Sequence, residues 1–177
     1  MQYTAHYESP LGGLLLAADD VGLTGLWFDG EKYYALHLAR EHEMRQTAVH
    51  EQTAAWLDVY FSGREPDFMP PLHLIGTPFQ QEVWALLRQI PYGKTTTYGA
   101  LAKTLAAQRG LERMSAQAVG GAVGHNEISI LVPCHRVVGT GGSVTGYAGG
   151  VDKKKALLEL EGVSMEGLFV PKRGTAL

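Results

Sequence analysis

The segment Ser115-Ala116-Gln117-Ala118-Val119-Gly120-Gly121-Ala122-Val123 decides how the second half of this chain folds, because nearly all of its side chains are small. We predict that it forms a helix. Each glycine inside a helix costs about 1 kcal/mol relative to alanine, so Gly120 and Gly121 together cost about 2 kcal/mol. A helix that accepts this cost indicates close approach of another surface. Two surfaces fit the pattern: DNA, and a neighbouring helix packed tightly within the protein.

Two further helices are predicted on the N-terminal side of this segment. The first covers Pro78–Gln89, with Thr77 as its N-cap and Gln80 completing a capping box. The second begins near Thr97 and ends in a polar loop around residues 108–110. The second helix, this loop and the small-residue helix together resemble a helix-turn-helix, although the loop is longer than the usual turn of roughly three to four residues.

Cys134 is the single cysteine of the chain and lies in Val132-Pro133-Cys134-His135-Arg136-Val137. A lone thiol cannot form an internal disulfide. The positive charge of Arg136, and of His135 when it is protonated, would favour the thiolate, which is the form of cysteine that attacks carbon. We therefore treat Cys134 as a candidate nucleophile. The alternative is an inert buried thiol.

The first 73 residues are predicted to form a separate domain of antiparallel strands and one helix. Three apolar stretches separated by turn residues indicate a meander: 3–9, 13–18 and 22–28. A helix is predicted over about 51–61. The proline-rich segment Glu65–Pro71 then breaks all periodicity. We place a linker there and predict domains at 1–73 and 74–177.

Charge is distributed unevenly along the chain, although the net charge at pH 7 is only −3. Residues from Arg88 to Arg173 hold 11 basic and 6 acidic side chains, a net +5, and the remaining residues hold a net −8. This asymmetry predicts a polyanion-binding surface confined to the second half. The alternative is a chance dipole, which is common in soluble proteins.

Composition excludes several classes of protein. No apolar run approaches the roughly 20 residues that cross a bilayer, and the N-terminus lacks a signal-peptide pattern. We therefore expect a cytoplasmic protein with no membrane partner. One cysteine cannot build a multi-cysteine zinc site, and the pair Gly139-x-Gly141 lacks the third glycine of a nucleotide cradle. The sequence thus predicts neither a metal nor a cofactor.

A set of motifs in the second half carries a resemblance to a known family. The motifs are Ala118-Val119-Gly120-Gly121-Ala122, Asn126, Val132-Pro133-Cys134-His135-Arg136-Val137-Val138, Gly146-Tyr147-Ala148-Gly149-Gly150 and Leu157-Leu158-Glu159-Leu160-Glu161-Gly162. In this combination the chain resembles the O6-alkylguanine-DNA alkyltransferases, also called methylated-DNA–protein-cysteine methyltransferases. The resemblance is strong over residues 78–165 and loose before them. With the predicted elements, it implies a two-domain α/β fold: N-terminal antiparallel strands plus a helix, then a mainly helical, winged-helix-like helix-turn-helix domain.

The resemblance also implies an activity. Members of this family bind damaged DNA, flip the modified guanine out of the stack and move its O6-alkyl group onto their own cysteine, here Cys134. His135 would act as the base through a bridging water, and Glu161 would orient His135. Tyr98 would help guanine to leave as a neutral species, and Asn126 would brace the end of the helix against the active-site turn.

Substrate and DNA contacts are implied in the same way. Tyr147 would form a wall of the alkyl pocket, and the backbone of Val137, Ala148 and Gly149 would meet the base. The predicted DNA-binding residues are Thr96, Arg113, Gln117, Ala118, Gly120, Gly121 and Arg136. Gln117 stands where most members carry an arginine, so we predict weaker DNA binding or a different wedge, with Arg113 as the nearest substitute.

We therefore predict a DNA-repair enzyme that reverses damage directly and is consumed by the reaction. The thioether formed on Cys134 is a poor leaving group and the chain has no second thiol, so each molecule would react once. Its partner would be double-stranded DNA with O6-alkylguanine, and O4-alkylthymine is a second candidate substrate. Because single copies act on DNA in this scheme, we expect a monomer. The run Lys153-Lys154-Lys155 is interpreted either as phosphate contacts or as a solvated patch. A helix-turn-helix regulator without transferase activity, or a multiple-turnover cysteine hydrolase, remains the alternative.

Overall fold

The computed structural model describes residues 1–171, which form two compact units. The first unit comprises Met1–Ile75 together with the short segment Glu127–Ser129. The second comprises Gly76–Asn126 and the chain from Ile130 onward. The division at Ile75 falls two residues after the predicted boundary, but the assignment of Glu127–Ser129 to the first unit has no counterpart in the sequence prediction.

A four-stranded sheet and one helix make up most of the first unit. The strands are β1 (Gln2–Ser9), β2 (Gly12–Ala18), β3 (Leu23–Phe28) and β4 (His42–Met44), and the helix is α1 (Ala48–Phe61). The sheet order is β3-β2-β1-β4, with β1, β2 and β3 antiparallel and β4 parallel to β1. The predicted meander is therefore confirmed. The short, fully exposed β4 carries no apolar pattern that would have revealed it.

The segment Glu127–Ser129 pairs with β3 inside the first unit. The amide of Leu26 donates to the carbonyl of Glu127 at 2.8 Å, and the amide of Ser129 donates to the carbonyl of Leu26 at 3.1 Å. Every residue of β3 is buried, as expected for a strand with covered faces and a covered edge.

The second unit is mainly helical. Its elements are α2 (Pro78–Leu87), β5 (Thr96–Thr97), α3 (Tyr98–Gln108), α4 (Ala116–Gly124), a 3₁₀ turn (Cys134–Arg136), β6 (Val137–Val138), a second 3₁₀ turn (Thr140–Gly142) and α5 (Val151–Leu160). The two-residue strands β5 and β6 pair in parallel, with Thr96 opposite Val137 and Thr97 opposite Val138. This pairing joins the start of α3 to the chain that follows the 3₁₀ turn of Cys134. The predicted two-domain α/β fold class is confirmed.

Local capping signals explain where the helices of this unit begin. The hydroxyl of Thr77 accepts from the Gln80 amide at 3.1 Å, and the Gln80 side chain accepts from the Thr77 amide at 3.0 Å. The predicted capping box of α2 is thus present. At α4, the hydroxyl of Ser115 accepts from the amides of Gln117 and Ala118. Each bond satisfies an amide that has no partner within its helix.

Packing within the protein does not require glycine at position 121 of the glycine-rich helix α4. A Cβ atom added to Gly121 would meet nothing within 4 Å, and the residue is exposed. Tight packing within the protein, one of the two explanations left open by the sequence, therefore does not account for Gly121. Within residues 1–171, no helix is both long and apolar enough to cross a membrane.

Candidate active site

The 3₁₀ turn holds the thiol of Cys134 against the end of α4. Cys134 is 7% exposed, and its sulfur accepts a hydrogen bond from the Asn126 amide nitrogen at 3.3 Å. The same nitrogen donates to the carbonyl of Val132 at 2.8 Å. Asn126 therefore fixes both the sulfur and the backbone two residues before it. A donor aimed at sulfur favours the charged form of the thiol.

His135 follows the thiol and is completely buried. Burial lowers its pKa below the usual value; the hydrogen bond and charge of Glu161 act in the opposite direction, and Arg136 and Lys154 lower it further. The imidazole is therefore neutral at neutral pH. This corrects the idea that a protonated His135 stabilises the thiolate. Its Nε2 atom lies 2.5 Å from a carboxylate oxygen of Glu161 and must be the donor, because an ionised carboxylate only accepts.

Glu161 is the C-cap residue of α5, and its carboxylate accepts hydrogen bonds from three residues. Besides His135, the Gly93 amide donates to it at 3.0 Å, and the guanidinium of Arg136 donates at 2.8 and 3.2 Å. Burial alone would raise the pKa of Glu161, but the hydrogen bonds and charges of His135 and Arg136 outweigh it and lower the pKa to about 2. The carboxylate thus stays ionised in the interior and anchors the histidine.

Arg136 lies within this network, so the predicted DNA contact does not fit its position. Its side chain is only 10% exposed, and the guanidinium bonds both to Glu161 and to the carbonyl of Ile90, the latter at 2.7 Å. A buried guanidinium requires a carboxylate partner, which it finds here. We therefore correct its role from contacting DNA to holding Glu161.

Lys154 is a site residue that the sequence analysis did not identify. It is fully buried, and its ammonium group donates to the carbonyl of Thr145 at 2.6 Å. This position contradicts both interpretations of the lysine run for Lys154, whereas Lys155 is exposed and Lys153 is half-buried. The signal was present in the sequence: Lys154 shares the buried face of α5 with Leu157 and Leu158, at the i, i+3, i+4 spacing of one helical face.

The ammonium of Lys154 interacts electrostatically with the thiol of Cys134. Burial lowers the pKa of Lys154 to about 8, and the negative charge of Cys134 raises it in part. Most of the lysine is therefore charged at pH 7. Because the attraction is mutual, the same ammonium favours the thiolate of Cys134.

Tyr98, the first residue of α3, shares an acceptor with Lys154. Its hydroxyl donates to the Thr145 carbonyl at 3.5 Å, and the Lys154 ammonium lies 5.8 Å from the centre of its ring. Burial raises the pKa of Tyr98, and the charge of Cys134 raises it further. Tyr98 therefore remains a hydrogen-bond donor at any physiological pH.

The predicted substrate residues surround the same turn. Tyr147 is buried, and its ring meets the ring of His135 edge-on with 6.5 Å between centroids. Val137 is buried in β6 immediately after the turn, and Ala148 and Gly149 are half-buried. The structure thus brings Tyr147 and Val137 next to the residues that flank the thiol.

The predicted DNA-binding residues, Arg136 excepted, occupy more exposed positions. Gln117, Ala118 and Gly121 are exposed on α4, Arg113 is exposed in the loop before it, and Gly120 and Thr96 are half-buried. Among residues 1–171, no group of three or more histidine, cysteine or acidic side chains is placed to hold a metal ion.

Family models match nearly the whole chain. Residues 2–74 match the ribonuclease-like domain of 6-O-methylguanine DNA methyltransferase, and residues 78–163 match the DNA-binding domain of the same family. A Mycobacterium tuberculosis protein named methylated-DNA–protein-cysteine methyltransferase is 43% identical over 159 residues, covering 88% of this chain and 92% of that protein. A protein of the same name from Methanosarcina acetivorans is 40% identical over 161 residues, covering 90% of this chain and 98% of its own length.

Solved structures of proteins from this family also match the chain. The crystal structure of Mycobacterium tuberculosis OGT in complex with DNA matches with a TM-score of 0.77 and 41% identity, covering 90% of this chain and 92% of that one. An O6-methylguanine DNA methyltransferase from Methanococcus jannaschii matches with a TM-score of 0.61 and 26% identity, covering 97% of this chain and 99% of that one.

Proposed function

The chain belongs to the 6-O-methylguanine DNA methyltransferase family, and we propose that it repairs double-stranded DNA by moving the alkyl group of O6-alkylguanine onto Cys134. The observation that carries this proposal is the environment of the thiol. One buried sulfur is hydrogen-bonded by Asn126, coupled to the ammonium of Lys154 and followed by a neutral histidine anchored on Glu161. A cytoplasmic location, where thiols stay reduced, is part of the proposal.

The reaction is a displacement at the alkyl carbon. The thiolate of Cys134 attacks that carbon, a carbon–sulfur bond forms, the carbon–oxygen bond breaks, and its electron pair stays on the guanine oxygen. The guanine then takes up one proton to become neutral. Because the product is a stable thioether and the chain has no second thiol, each molecule transfers one alkyl group.

His135 accepts the proton that the thiol loses. Its Nε2 hydrogen is committed to Glu161, so Nδ1 is the basic nitrogen, and a bridging water carries the proton from Cys134 to it. The ionised Glu161 offsets the positive charge that then forms on the ring. A neutral base held by an ionised, fully anchored carboxylate follows the logic of a catalytic triad.

Lys154 and Tyr98 stabilise the two negative charges of the transfer, the first on the sulfur of Cys134 and the second on the departing guanine. The ammonium of Lys154 favours the thiolate before the reaction. The hydroxyl of Tyr98 stays protonated, and its single hydrogen, which lies on the Thr145 carbonyl in the free protein, can turn to the departing guanine, on which negative charge develops. Both groups are held by the same carbonyl, that of Thr145.

DNA binding is assigned to the exposed face of α4. A base stacked in a duplex cannot reach the sulfur of a residue that is only 7% exposed, so the damaged guanine must leave the stack and enter the site. The open space beside Gly121 allows a close approach of DNA to α4. Gln117 and Arg113 are the exposed side chains available to occupy the space of the flipped base.

One experiment tests the reaction directly. The protein is incubated with a duplex that carries one O6-methylguanine, digested, and the peptide containing Cys134 is weighed. We expect one added methylene on that peptide, restored guanine in the DNA and never more product than protein. A regulator without transferase activity would leave the peptide unchanged, and a cysteine hydrolase would turn over many times without a permanent mass increase.

A matched pair of variants tests the DNA surface. Gln117→Ala should weaken binding to O6-methylguanine duplex several-fold because its side chain is placed to fill the gap in the stack. Gln108→Ala, which changes another exposed glutamine at the end of α3, should not weaken this binding. Equal affinities for both variants would remove Gln117 from the proposed interface.

A further inference from the structure

A short segment near the C-terminus pairs with the loop that carries the pocket residues. We call Gly167–Phe169 the strap and Gly139–Gly150 the active-site loop; both lie in the second unit. The Val144 amide donates to the Phe169 carbonyl at 2.8 Å, and the Phe169 amide donates to the Gly142 carbonyl at 3.0 Å. These two bonds form an isolated parallel bridge between Ser143 and Phe169.

The strap also lies in direct contact with one glycine of the loop. Gly142 has φ of +95°, and a Cβ atom on it would come within 2.0 Å of the Gly167 carbonyl oxygen. Its neighbour Gly141 has φ of +76°, yet a Cβ atom there would meet nothing within 4 Å. The two glycines share the left-handed backbone, and only Gly142 requires room for the strap.

The contact between the strap and the active-site loop is connected to the reacting groups through the backbone of Val144 and Thr145. Val144, which the strap holds, is 1% exposed and is followed by Thr145, which is 3% exposed. The carbonyl of Thr145 receives the ammonium of Lys154 and the hydroxyl of Tyr98. A shift of the loop at Val144 would therefore move the acceptor that both groups share.

We propose that the strap is a positioning element for alkyl transfer. By fixing Val144, it sets the position of the Thr145 carbonyl, to which the Lys154 ammonium and the Tyr98 hydroxyl both donate. The strap touches no reacting atom in this scheme. This inference rests on the proposed function and adds to it a segment outside the residues implied by the family resemblance.

The first test compares two alanine substitutions. Gly142→Ala places a methyl group against the strap, whereas Gly141→Ala introduces the same type of backbone strain without that contact. We expect the methyl-transfer rate at saturating O6-methylguanine duplex to fall roughly 10- to 100-fold further in Gly142→Ala, because misplacement by about 1 Å can cost 100-fold. Equal rates in the two variants would overturn the proposal.

A second pair of variants avoids the glycines. Phe169→Pro removes the amide that donates to Gly142, whereas Phe169→Ala removes a half-exposed side chain and keeps the amide. We expect the proline variant alone to lose transfer rate. A rate loss confined to the alanine variant would assign the role to the side chain and refute the backbone mechanism.

Two further measurements separate positioning from general loosening. DNA affinity should stay near the parent value in Gly142→Ala, because α4 is a different element. The transfer rate is measured per folded molecule, because the clash and the backbone strain at position 142 lower the midpoint of thermal unfolding. A parallel fall in DNA affinity and transfer rate would refute the proposal. In a Lys154→Met background, Gly142→Ala should cost less than it does in the parent. Losses that simply multiply would exclude the route through Lys154.

The parent protein in the same assay keeps this inference distinct from the proposed function. If the parent transfers no methyl group, the proposed function fails. If the parent reacts and the strap variants match their controls, only the strap inference fails.

Discussion

Each unit of the molecule contains a buried glutamate that bonds to a histidine, and the two differ in what surrounds them. In the first unit, Glu127 is 3.0 Å from Nδ1 of His37, whose side chain is 57% exposed. In the second unit, Glu161 is 2.5 Å from Nε2 of His135, whose side chain is completely buried. The pairing of a carboxylate with an imidazole is therefore common to both units.

The difference lies in burial and in what the histidine adjoins. Burial keeps His135 neutral, and the next residue back along the chain is the single thiol, Cys134. The Glu127 pair lies in the unit that does not contain this thiol, and the carboxylate of Glu127 also accepts the indole N–H of Trp27 at 2.7 Å. Desolvation of the imidazole and a neighbouring nucleophile are therefore the two features that set the His135 pair apart, and the proposed role of His135 as base depends on both.

Removal of the thiol should have the largest effect. Cys134→Ser leaves Glu161, His135 and the 3₁₀ turn in place but offers an alcohol that is far harder to ionise. We expect no measurable methyl transfer in a single-turnover assay, with DNA affinity close to that of the parent. Residual transfer at the parent rate would mean that the second unit owes its activity to something other than this sulfur.

Substitution of the two carboxylates tests the comparison most directly. Glu161→Gln should slow methyl transfer by about 100- to 10,000-fold, the range attributed to a positioned acid–base group, because Gln cannot offset the charge on His135. Glu127→Gln should keep the rate of the folded protein within a few-fold of the parent. The measurement is the methyl-transfer rate per active molecule. Similar rate losses in both variants would show that the Glu161–His135 pair has no special role compared with the Glu127–His37 pair.

The free energy of unfolding should decrease at acid pH in the range where Glu161 takes up a proton. Its pKa is lowered to about 2 from an ordinary value of 4.5, so its contribution is present above pH 4.5 and is lost as the pH falls towards 2. That contribution is about 3 kcal/mol at neutral pH. The free energies of unfolding in urea of the parent and Glu161→Gln should converge over this acid range. A gap that stays constant down to pH 2 would contradict the ionised, anchored carboxylate.

The smallest effect is expected on the exposed helix α4, away from both carboxylates. Gly121→Ala should raise the free energy of unfolding by up to about 1 kcal/mol, because the added methyl group meets open space and alanine favours a helix. The same methyl group should weaken DNA binding a few-fold. Greater stability without any loss of DNA affinity would show that DNA does not approach this part of α4.

Part of the fold was predictable because its signals are local. The capping box of Thr77 and Gln80, the three strands of the meander and the adjacency of Cys134 and His135 are all encoded within a few residues. The strand β4 was missed because three exposed residues carry no pattern. The placement of Glu127–Ser129 in the first unit was missed because its partner, β3, lies about a hundred residues earlier in the chain.

By itself, the sequence determined the candidate nucleophile, the histidine beside it and the helices that precede them, since hydrophobic spacing, caps and chain adjacency are properties of short segments. Only the tertiary structure decided three further features. Arg136 is buried and donates to Glu161, Lys154 is buried and donates to the Thr145 carbonyl, and His135 is neutral. The physical reason is desolvation. Whether a charged side chain meets water or a distant partner depends on contacts between remote parts of the chain, and those contacts set its ionisation and its role.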